Sequence, residues 1–403
     1  MDSGGQCRGG RIAPYGCRSV TVRVCHLSSA HQGLDIRIYS KECVSLARAG
    51  FEVHLVISAV QAEVVSAAAN GVTLHPVPAV QNRFARFFLK SWRTFRLALR
   101  TDAQIYHFHD PELLPYGVLL RILGKQVIYD VHEDLPRDIL TKDWIPKKLR
   151  GIVAAGSRFV ESVCARWFVD VVAATPAIRE GFAGINRRAI VVNNYPILGE
   201  LASDVGRGQR VDYVCYVGGI EPIRGARELV ETAGLLRSDI RLALCGDFQD
   251  AELSETLAAL PGWSRVESFG WKPRPFIRDI MSRSIAGLVT FLPAPNHLSA
   301  QPNKLFEYMS AGLPVVASHF PLWREIIEGN ECGICVDPAS PPEIARAIDY
   351  LAANPSAAER MGRNGLNAVR ERYNWPNEEK TLLDFYQRLS GAREEVRHQA
   401  RSG

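Results

Sequence analysis

The sequence lacks any hydrophobic run long enough to cross a membrane, since none approaches the roughly 18 consecutive apolar residues that a span requires. Its N-terminal residues also lack the continuous apolar centre of a signal peptide, so we expect the chain to stay in the cytoplasm. Nine cysteines in 403 residues are too few for a disulfide framework. Cys332 and Cys335 form a Cys-x-x-Cys pair, but no second Cys or His pair stands at zinc-finger spacing, which favours a turn entering a short strand.

The chain also lacks a strong excess of charge. Its 48 Lys and Arg residues against 43 Asp and Glu residues give a net charge of +5, too small to indicate a nucleic-acid partner. The Gly-x-Gly-x-x-Gly dinucleotide fingerprint is missing, which disfavours a hydride-transfer enzyme. A hydrophobic content of 47% with 23% charged residues is that of ordinary globular domains, and the length predicts two of them.

Short apolar strands alternate with helical stretches from Val20 onwards, which predicts α/β architecture with doubly wound, Rossmann-like parallel sheets. The alternation breaks near 200–208 and then restarts, so two such domains should face each other across a cleft. The predicted divisions are a disordered tail 1–19, a first domain 20–196, a linker 197–209, a second domain 210–375 and a C-terminal helix and tail 376–403. The predicted strands are 20–27, 53–57, 105–108, 127–129, 169–174, 190–192, 211–217, 242–245, 266–269, 285–291 and 315–317.

The segment 301–318 gives the strongest indication of a binding site. Pro302 suits the first turn of a helix, whose unpaired N–H groups and dipole attract phosphate, and Lys304 adds a positive charge there. One turn later, the Glu307 carboxylate can accept hydrogen bonds from both hydroxyls of a ribose. Gly312 then closes the helix before a buried strand. This order predicts a nucleoside diphosphate site, although an ordinary helix-to-strand joint is the alternative.

A glycine turn follows the first strand of the second domain. Gly218 and Gly219 allow backbone N–H groups to approach a phosphate closely, and Arg224 can bind its oxygens in bidentate fashion. The alternative is a tight strand-to-helix turn with a surface arginine.

The Gly-Gly-Ile-Glu-Pro-Ile-Arg-Gly loop and the Pro-Asn-Lys-Leu-Phe-Glu-Tyr-Met helix, in this order, resemble those of retaining glycosyltransferases with the GT-B fold, in the broad family 4 group. The resemblance covers the chain from Val20 to about Leu389. It implies that the second domain binds a UDP- or GDP-linked sugar, with no further cofactor. It also implies that the first domain binds the acceptor and that the C-terminal helix crosses back to it.

The resemblance carries the donor-binding role onto Gly218, Gly219, Arg224, Gly246, Ser299, Pro302, Asn303, Lys304 and Glu307. Two positions depart from the family pattern. Ser299 stands where the family has the first of two glutamates, and Gly219 stands where it has an arginine. Arg224, Lys304 and the helix N-terminus then remain to neutralise the diphosphate. We interpret the departures as a branch with a modified sugar pocket rather than as loss of activity.

Polar residues also end the strands of the first domain. By resemblance, His109 contacts the donor sugar near the reacting carbon, with Asp110 beside it, and these two with Arg224 form the predicted catalytic set. His31, His132 and Glu133 are predicted to line the acceptor side. No Asp-x-Asp motif occurs in the chain, so we predict no metal site and metal-independent catalysis.

The segment 83–100 is basic and aromatic, with six basic residues and no acidic one. On a helix its basic and aromatic side chains fall on opposite arcs, which fits an anionic membrane interface, although a helix covering its own core is also amphipathic. The predicted membrane-surface residues are Arg83, Phe87, Phe88, Lys90, Trp92 and Arg93. Lys147, Lys148, Arg150 and Arg158 would extend the same basic surface.

The resemblance implies an enzyme that transfers a sugar, with retention, from a nucleoside diphosphate sugar to a glycan or lipid-linked glycan in polysaccharide biosynthesis. With the basic and aromatic segment 83–100, we expect it to be peripheral on the inner face of the plasma membrane. A non-hydrolysing sugar-nucleotide 2-epimerase of the same fold is one alternative. A catalytically silent binding subunit is another, because Ser299 and Gly219 depart from the family pattern.

Overall fold

The structure, a computed structural model, describes residues 21–78, 80, 86–142, 144–201 and 212–402. These residues form two fully parallel sheets, one of seven strands and one of six, with helices on their faces. The prediction of two doubly wound, Rossmann-like domains is confirmed. The predicted tail 1–19 and residues 202–209 of the predicted linker lie outside the described residues.

The first sheet has the strand order β3-β2-β1-β4-β5-β6-β7. Its strands are β1 Arg23–Gln32, β2 Glu52–Ser58, β3 Val72–Pro76, β4 Ile105–Phe108, β5 Gln126–Val131, β6 Asp170–Ala173 and β7 Ile190–Val191. All residues of β4 and β6 are buried, because helices cover both faces of the sheet. The strand order changes direction between β1 and β4, because β2 and β3 lie on one side of β1 and β4 to β7 on the other. Such a switch point leaves a crevice at the carboxyl ends of the strands.

The helices of the first domain pack on both sides of this sheet. They are a π-helical turn Ile36–Cys43, α1 Val44–Arg48, α2 Gln61–Ala69, a π-helical turn Arg86–Lys90, α3 Ser91–Arg100, a 3₁₀ turn Pro111–Leu113, α4 Leu114–Ile122, α5 Leu135–Ile139, α6 Lys147–Ala165 and α7 Pro176–Phe182. One face of the sheet packs against α3, α4 and α6 through Phe95, Leu120 and Ala165.

The second sheet has the strand order β10-β9-β8-β11-β12-β13. Its strands are β8 Tyr213–Val217, β9 Arg241–Cys245, β10 Val266–Ser268, β11 Ser284–Val289, β12 Val315–Ser318 and β13 Gly333–Val336. Its helices are a 3₁₀ turn Pro222–Arg224, α8 Ala226–Leu235, α9 Ala251–Ala258, a 3₁₀ turn Pro261–Arg265, α10 Arg274–Ser282, α11 Asn303–Ser310, α12 Pro321–Ile327, α13 Pro341–Ala353 and α14 Pro355–Glu371.

The last helix, α15 Trp375–Ser402, returns to the first domain. Trp375, Leu382, Phe385 and Tyr386 are buried in the core beneath β1 and β2. The hydroxyl of Tyr386 lies 2.7 Å from Nδ1 of the buried His107 in β4. The chain therefore crosses between the domains twice, before β8 and before α15.

The structure differs from the sequence-based predictions at two places. Strand β3 was not predicted, because its sequence Val-Thr-Leu-His-Pro has only two buried apolar residues and forms the sheet edge. The prediction of Lys90 as a membrane-surface residue is wrong, since its side chain is 2% exposed. Phe87, Phe88, Trp92 and Arg93 are exposed, and Arg83 lies outside the described residues.

Within the described residues, none of the helices combines the length and the apolar character needed to span a bilayer.

Candidate active site

A cleft of about 590 Å³ lies between the carboxyl ends of the two sheets. Residues of both domains line it. The predicted residues that line it are His31, His132 and Glu133 from the first domain, and Gly218, Arg224, Ser299, Pro302, Asn303, Lys304 and Glu307 from the second. The cleft therefore brings together most of the donor-side and acceptor-side residues that the sequence indicates.

The glycine turn after β8 faces the amino end of α11. Gly218 has a φ of 117°, which an L side chain rarely adopts, and a Cβ placed there would lie 3.0 Å from the Lys304 Nζ. Gly246, with a φ of 155°, packs its Cα against the Gly218 carbonyl, so any side chain at 246 would displace the turn. Gly246 thus supports the shape of the turn and does not line the cleft.

Lys304 is buried at the wall of the cleft. Its Nζ has no hydrogen-bond partner among the described residues, and it lies 3.7 Å from the centre of the Tyr216 ring and 5.1 Å from that of Phe291. Burial lowers the pKa of Lys304 well below its ordinary value, and the nearby Arg224 lowers it further. A bound anion would restore the charged form, so this position favours a phosphate ligand.

Arg224 shares this wall of the cleft. Its Nη2 lies 3.3 Å from Glu221 Oε1, and its guanidinium is 5.7 Å from the Phe291 ring centre. A Cβ at Gly219 would lie 3.1 Å from Glu221 Oε1 and 3.3 Å from Arg224 Nη1, so the Glu221 and Arg224 side chains together occupy the space above residue 219. One cation thus stands beside the turn although residue 219 itself is glycine.

Glu307 is held in the cleft by an arginine that the sequence patterns did not indicate. Arg274 Nη1 donates to Glu307 Oε1 at 2.8 Å, while its Nε and Nη2 donate to Glu200 at 2.7 and 3.0 Å. The two carboxylates raise the pKa of Arg274 despite its burial. The second oxygen of Glu307 has no such partner in the described hydrogen bonds, so it remains available to a ligand.

A buried charge network supports the first-domain wall. Asp130, fully buried at the end of β5, accepts from Arg37 Nε at 3.0 Å and Nη2 at 2.8 Å. Burial alone would raise the Asp130 pKa, but Arg37 holds it well below its usual value, with His132 and His109 contributing. Asp130 is therefore a carboxylate that can orient two histidines.

His109 lies in this network rather than at the cleft surface. It is 3% exposed, and its Nδ1 lies 3.1 Å from Asp130 Oδ2 while its Nε2 lies 3.0 Å from His26 Nδ1. Burial lowers the pKa of His109 to about 4, so the ring is neutral at neutral pH. His132 lines the cleft and His109 does not, so the contact of His109 with the donor sugar stays a prediction.

Asp110 is buried as well. It accepts hydrogen bonds from Ser28 Oγ and the Ser29 N–H at 2.6 Å each, and its Oδ1 lies 3.1 Å from His31 Nδ1. Burial opposes the charge on His31, but the bonded Asp110 raises the His31 pKa. Asp110 thus fixes the carboxyl end of β1, and His31 lines the cleft whereas Asp110 does not.

His132 presents the other imidazole to the cleft. Its Nε2 lies 3.0 Å from Asp130 Oδ2 and 3.1 Å from His109 Nδ1. The hydrogen bonds described for His132 all use Nε2, which leaves Nδ1 available to a ligand. An N–H on Nε2 pointing at the carboxylate makes Nδ1 a proton acceptor in the neutral ring.

The first-domain network also resembles a metal site in composition. Donor atoms of Glu42, His107, His109 and Asp130 all lie within 4.8 Å of one another. Arg37 already contributes a positive charge there, with its Nε 3.2 Å from Glu42 Oε1. The guanidinium of Arg37 is therefore the cation that pairs with the Asp130 carboxylate in this cluster.

Comparison with known proteins agrees with this geometry. Residues 201–368 match the model described as Glycosyl transferases group 1, and residues 40–195 match the model described as Glycosyl transferase 4-like domain. The two models together cover every strand of the two sheets except β1. The chain belongs to the GT-B glycosyltransferases.

Among curated proteins, this glycosyltransferase is similar to an alpha-maltose-1-phosphate synthase of Mycobacterium tuberculosis, at 28% identity over 204 residues. That match covers 48% of this chain and 51% of the relative, so the chain spans about half the length of the curated relatives it matches. Among solved structures, a sucrose-phosphate synthase from Thermosynechococcus elongatus has a TM-score of 0.73 at 17% identity, covering 92% of this chain and 100% of that one. The Anabaena protein HepE, solved with UDP-glucose, has a TM-score of 0.69 at 15% identity, covering 91% and 99%.

Ser299, which the resemblance predicts to stand where the family has a glutamate, is hydrogen-bonded to an arginine in this glycosyltransferase. Arg137, from the first domain, donates from Nη1 to Ser299 Oγ at 2.7 Å. This hydrogen bond joins the first domain to Ser299, which lines the second-domain wall of the cleft. An arginine of the first domain thus lies beside the serine that stands where the family has a glutamate.

Proposed function

We propose that this glycosyltransferase moves a hexose-type sugar, with retention of configuration, from a nucleoside diphosphate sugar to a glycan or lipid-linked glycan acceptor. The observation that carries the proposal is the placement of the unpaired Lys304 Nζ against the Gly218 turn, beside Arg224 and at the amino end of α11. This combination of cations and free N–H groups suits a diphosphate. The Anabaena neighbour with UDP-glucose supports UDP as the first nucleotide to test, with GDP as the second.

In the proposed donor complex, the diphosphate lies between the glycine turn and Lys304, and Glu307 accepts hydrogen bonds from the ribose. The bond between the anomeric carbon and the phosphate oxygen breaks, and its electron pair leaves with the nucleoside diphosphate. The acceptor hydroxyl attacks the same face of the sugar, and its proton passes to the departing phosphate. Arg224 and Lys304 stabilise the charge that grows on that phosphate, which contributes on the order of several kcal/mol.

We propose that no metal takes part in this step. Lys304 and Arg224 supply positive charge on the diphosphate side of the cleft, and no Asp-x-Asp pair is present in the chain. Transfer activity should therefore be unchanged by EDTA. A loss of activity restored by Mg²⁺ or Mn²⁺ would contradict this part of the proposal.

We assign the acceptor side to His31, His132 and Glu133, which line the first-domain wall of the cleft. The free Nδ1 of His132 can bind an acceptor hydroxyl, because Asp130 holds the opposite ring nitrogen. We propose polysaccharide assembly as the setting, with the enzyme in the cytoplasm and peripheral on the inner face of the plasma membrane. The exposed Phe87, Phe88 and Trp92, with Arg93, support that location.

A donor screen followed by product analysis tests the proposal. Ligands that bind the native state raise its apparent stability, so thermal unfolding with UDP, GDP and their sugars identifies the nucleotide. The wild type and Glu307→Ala are then incubated with the selected donor and lipid-linked or oligosaccharide acceptors. Acceptor-dependent release of nucleoside diphosphate with an unchanged anomeric configuration supports the proposal.

The same assay distinguishes the alternatives. An altered donor sugar without acceptor would indicate the epimerase. Donor binding with no turnover in either wild type or Glu307→Ala would indicate a silent binding subunit. This alternative is considered because Gly219 and Ser299 depart from the family pattern.

A further inference from the structure

Helix α6 presents an apolar stripe to the outside of the first domain. The helix buries only Ala154, Glu161 and Ala165, while Ile152 and Phe159 are 70% and 71% exposed. The apolar side chains on its outer face are Leu149, Ile152, Val153, Phe159, Val160 and Val163. An exposed aromatic or aliphatic residue needs no explanation when it stands alone, but six on one helix do.

The stripe is continuous along the helix axis. At about 100° per residue, these six side chains fall within roughly one third of the helix circumference. Ala154, Glu161 and Ala165, which face the sheet, fall on the opposite side. Helix α6 is therefore amphipathic with its apolar face turned away from the protein core.

Neighbouring helices extend this apolar face. Helix α3 packs against α4, with the Phe95 and Tyr116 ring centres 5.1 Å apart, and α4 packs against α6 over the same side of the sheet. The exposed apolar residues of this neighbourhood are Phe87, Phe88, Trp92, Leu119 and Ile122. The face defined by α3, α4 and α6 thus spans three adjacent helices.

The charges on this face have one sign. The exposed basic residues of α3 include Arg93 and Arg96, and Lys148 flanks the apolar stripe in the first turn of α6. At 100° per residue, Lys147, Arg150 and Arg158 fall on the opposite arc of α6 and do not belong to this face. The one carboxylate in the three helices is Glu161, which is buried and accepts a hydrogen bond from the Tyr129 hydroxyl at 2.9 Å. A surface with aromatic, aliphatic and cationic side chains and without an exposed carboxylate is complementary to anionic lipid.

We propose that the face defined by α3, α4 and α6 inserts into an anionic lipid bilayer, with the apolar stripe of α6 at the depth of the upper acyl chains. The flanking cations bind the lipid phosphates. The proposal assigns the main membrane contact to α6, whereas the sequence placed it on the segment 83–100.

The location of α6 connects this face to the cleft, and this step rests on the proposed function. Helix α5 packs against α6 through Leu135, Ile139 and Ala154. Glu133, Asp134 and Asp138, at or just before α5, line the cleft. Because α5 contacts the side of α6 opposite the stripe, a bilayer on α6 and the acceptor side of the cleft would be separated by the thickness of this one helix.

Vesicle sedimentation with the full chain tests the membrane contact, without any nucleotide sugar. Wild type should sediment with vesicles of equal parts phosphatidylglycerol and phosphatidylcholine and remain largely unbound with phosphatidylcholine alone. The double variant Ile152→Ser, Phe159→Ser should lose at least about tenfold in partition onto the anionic vesicles, because two large apolar side chains no longer insert. Lys148→Glu with Arg93→Glu should reduce it by a similar factor.

Val65→Ser is the matched control, since Val65 is 66% exposed on α2, which packs on the other side of the sheet. It should alter partition by less than about twofold, since this residue lies away from the face. Thermal unfolding of each variant verifies that the fold is kept. Wild type that stays in the supernatant with anionic vesicles would overturn the proposal, as would unchanged partition of the double variant.

Light scattering tests the alternative occupant, a second copy of the chain. A dimeric wild type that becomes monomeric on Ile152→Ser, Phe159→Ser and never binds vesicles would assign the face to self-association. Because the binding assay needs no donor or acceptor, a failure of glycosyl transfer would leave its result unaffected.

Discussion

The Lys304 Nζ lies 3.7 Å from the centre of the Tyr216 ring and has no hydrogen-bond partner among the described residues. The ring face offers some electrostatic attraction, but it replaces little of the hydration that an ammonium group loses on burial. The lowered pKa of Lys304 expresses this cost. The charged form of Lys304 is therefore disfavoured in the empty cleft and is stabilised when an anion binds.

Lys304→Met should lower the affinity for the nucleotide and raise the stability of the protein without ligand. Methionine has a similar length but no charge, so the affinity for the nucleoside diphosphate should fall roughly tenfold to a hundredfold. A lysine whose folded pKa is lowered binds fewer protons in the folded state than in the unfolded state. Its contribution to stability therefore improves as pH rises, and at neutral pH it is unfavourable.

The apo variant should accordingly unfold at a higher temperature than the wild type near neutral pH. Calorimetric titration with UDP and GDP measures the affinity, and thermal unfolding without ligand measures the stability. Unchanged affinity for the nucleotide that binds wild type would contradict the assignment of Lys304 to the diphosphate.

Arg274→Met should weaken donor binding through Glu307. The 2.8 Å hydrogen bond from Arg274 fixes the Glu307 carboxylate, and its loss leaves that side chain free to rotate. Since the proposed ribose contact is remote from the reacting bond, the KM for donor should rise about threefold to tenfold with kcat little changed. Arg283→Met, which removes a comparable pair with Asp212 outside the cleft, is the control. A fall in kcat without a change in KM would place Arg274 in the chemical step instead.

Much of the fold follows from local patterns, because buried parallel strands have short apolar sequences. Ile105–Phe108 has the bounds that the sequence predicts. Arg274 was missed because its partners are 74 and 33 residues away, and nothing local marks an arginine for such a role. Lys90 was assigned to the surface because a lysine beside aromatic residues suggests a membrane contact, yet packing of the helix against the domain buries it. The His107 to Tyr386 contact spans 279 residues and depends on the return of the last helix.

Glu42→Gln should change the pH dependence of stability. Burial raises the pKa of Glu42 well above its ordinary value, the neighbouring Asp130 raises it further, and Arg37 opposes them. A carboxyl with a raised folded pKa stabilises the native state fully below its unfolded pKa, and that contribution is lost as pH rises through the folded pKa. Asp130, whose pKa is lowered, contributes stability above its unfolded pKa that is lost as pH falls.

Glutamine resembles the protonated carboxyl and cannot ionise. The stability of wild type relative to Glu42→Gln should therefore fall by about 1.4 kcal/mol per pH unit above about pH 4.3, until the folded pKa is reached. Urea unfolding between about pH 5 and about pH 9 measures the difference. Parallel profiles for the two proteins would show that Glu42 is ionised in the folded state.

Ser299→Glu tests whether the serine selects the sugar or impairs the enzyme. Ser299 now accepts a hydrogen bond from Arg137, and a glutamate there would place its carboxylate near that guanidinium. Because the diphosphate contacts at Gly218, Arg224 and Lys304 are unchanged, UDP or GDP affinity should stay within about twofold. The order of preference among donor sugars should change, since the altered side chain lies on the cleft wall at the position where related enzymes have a glutamate. Ser299→Ala, which only removes the bond to the half-exposed Arg137, should cost less than about 1 kcal/mol and leave that order unchanged. If Ser299→Glu instead raises transfer with the wild-type donor more than about tenfold, the serine marks a weakened active site rather than a modified sugar pocket.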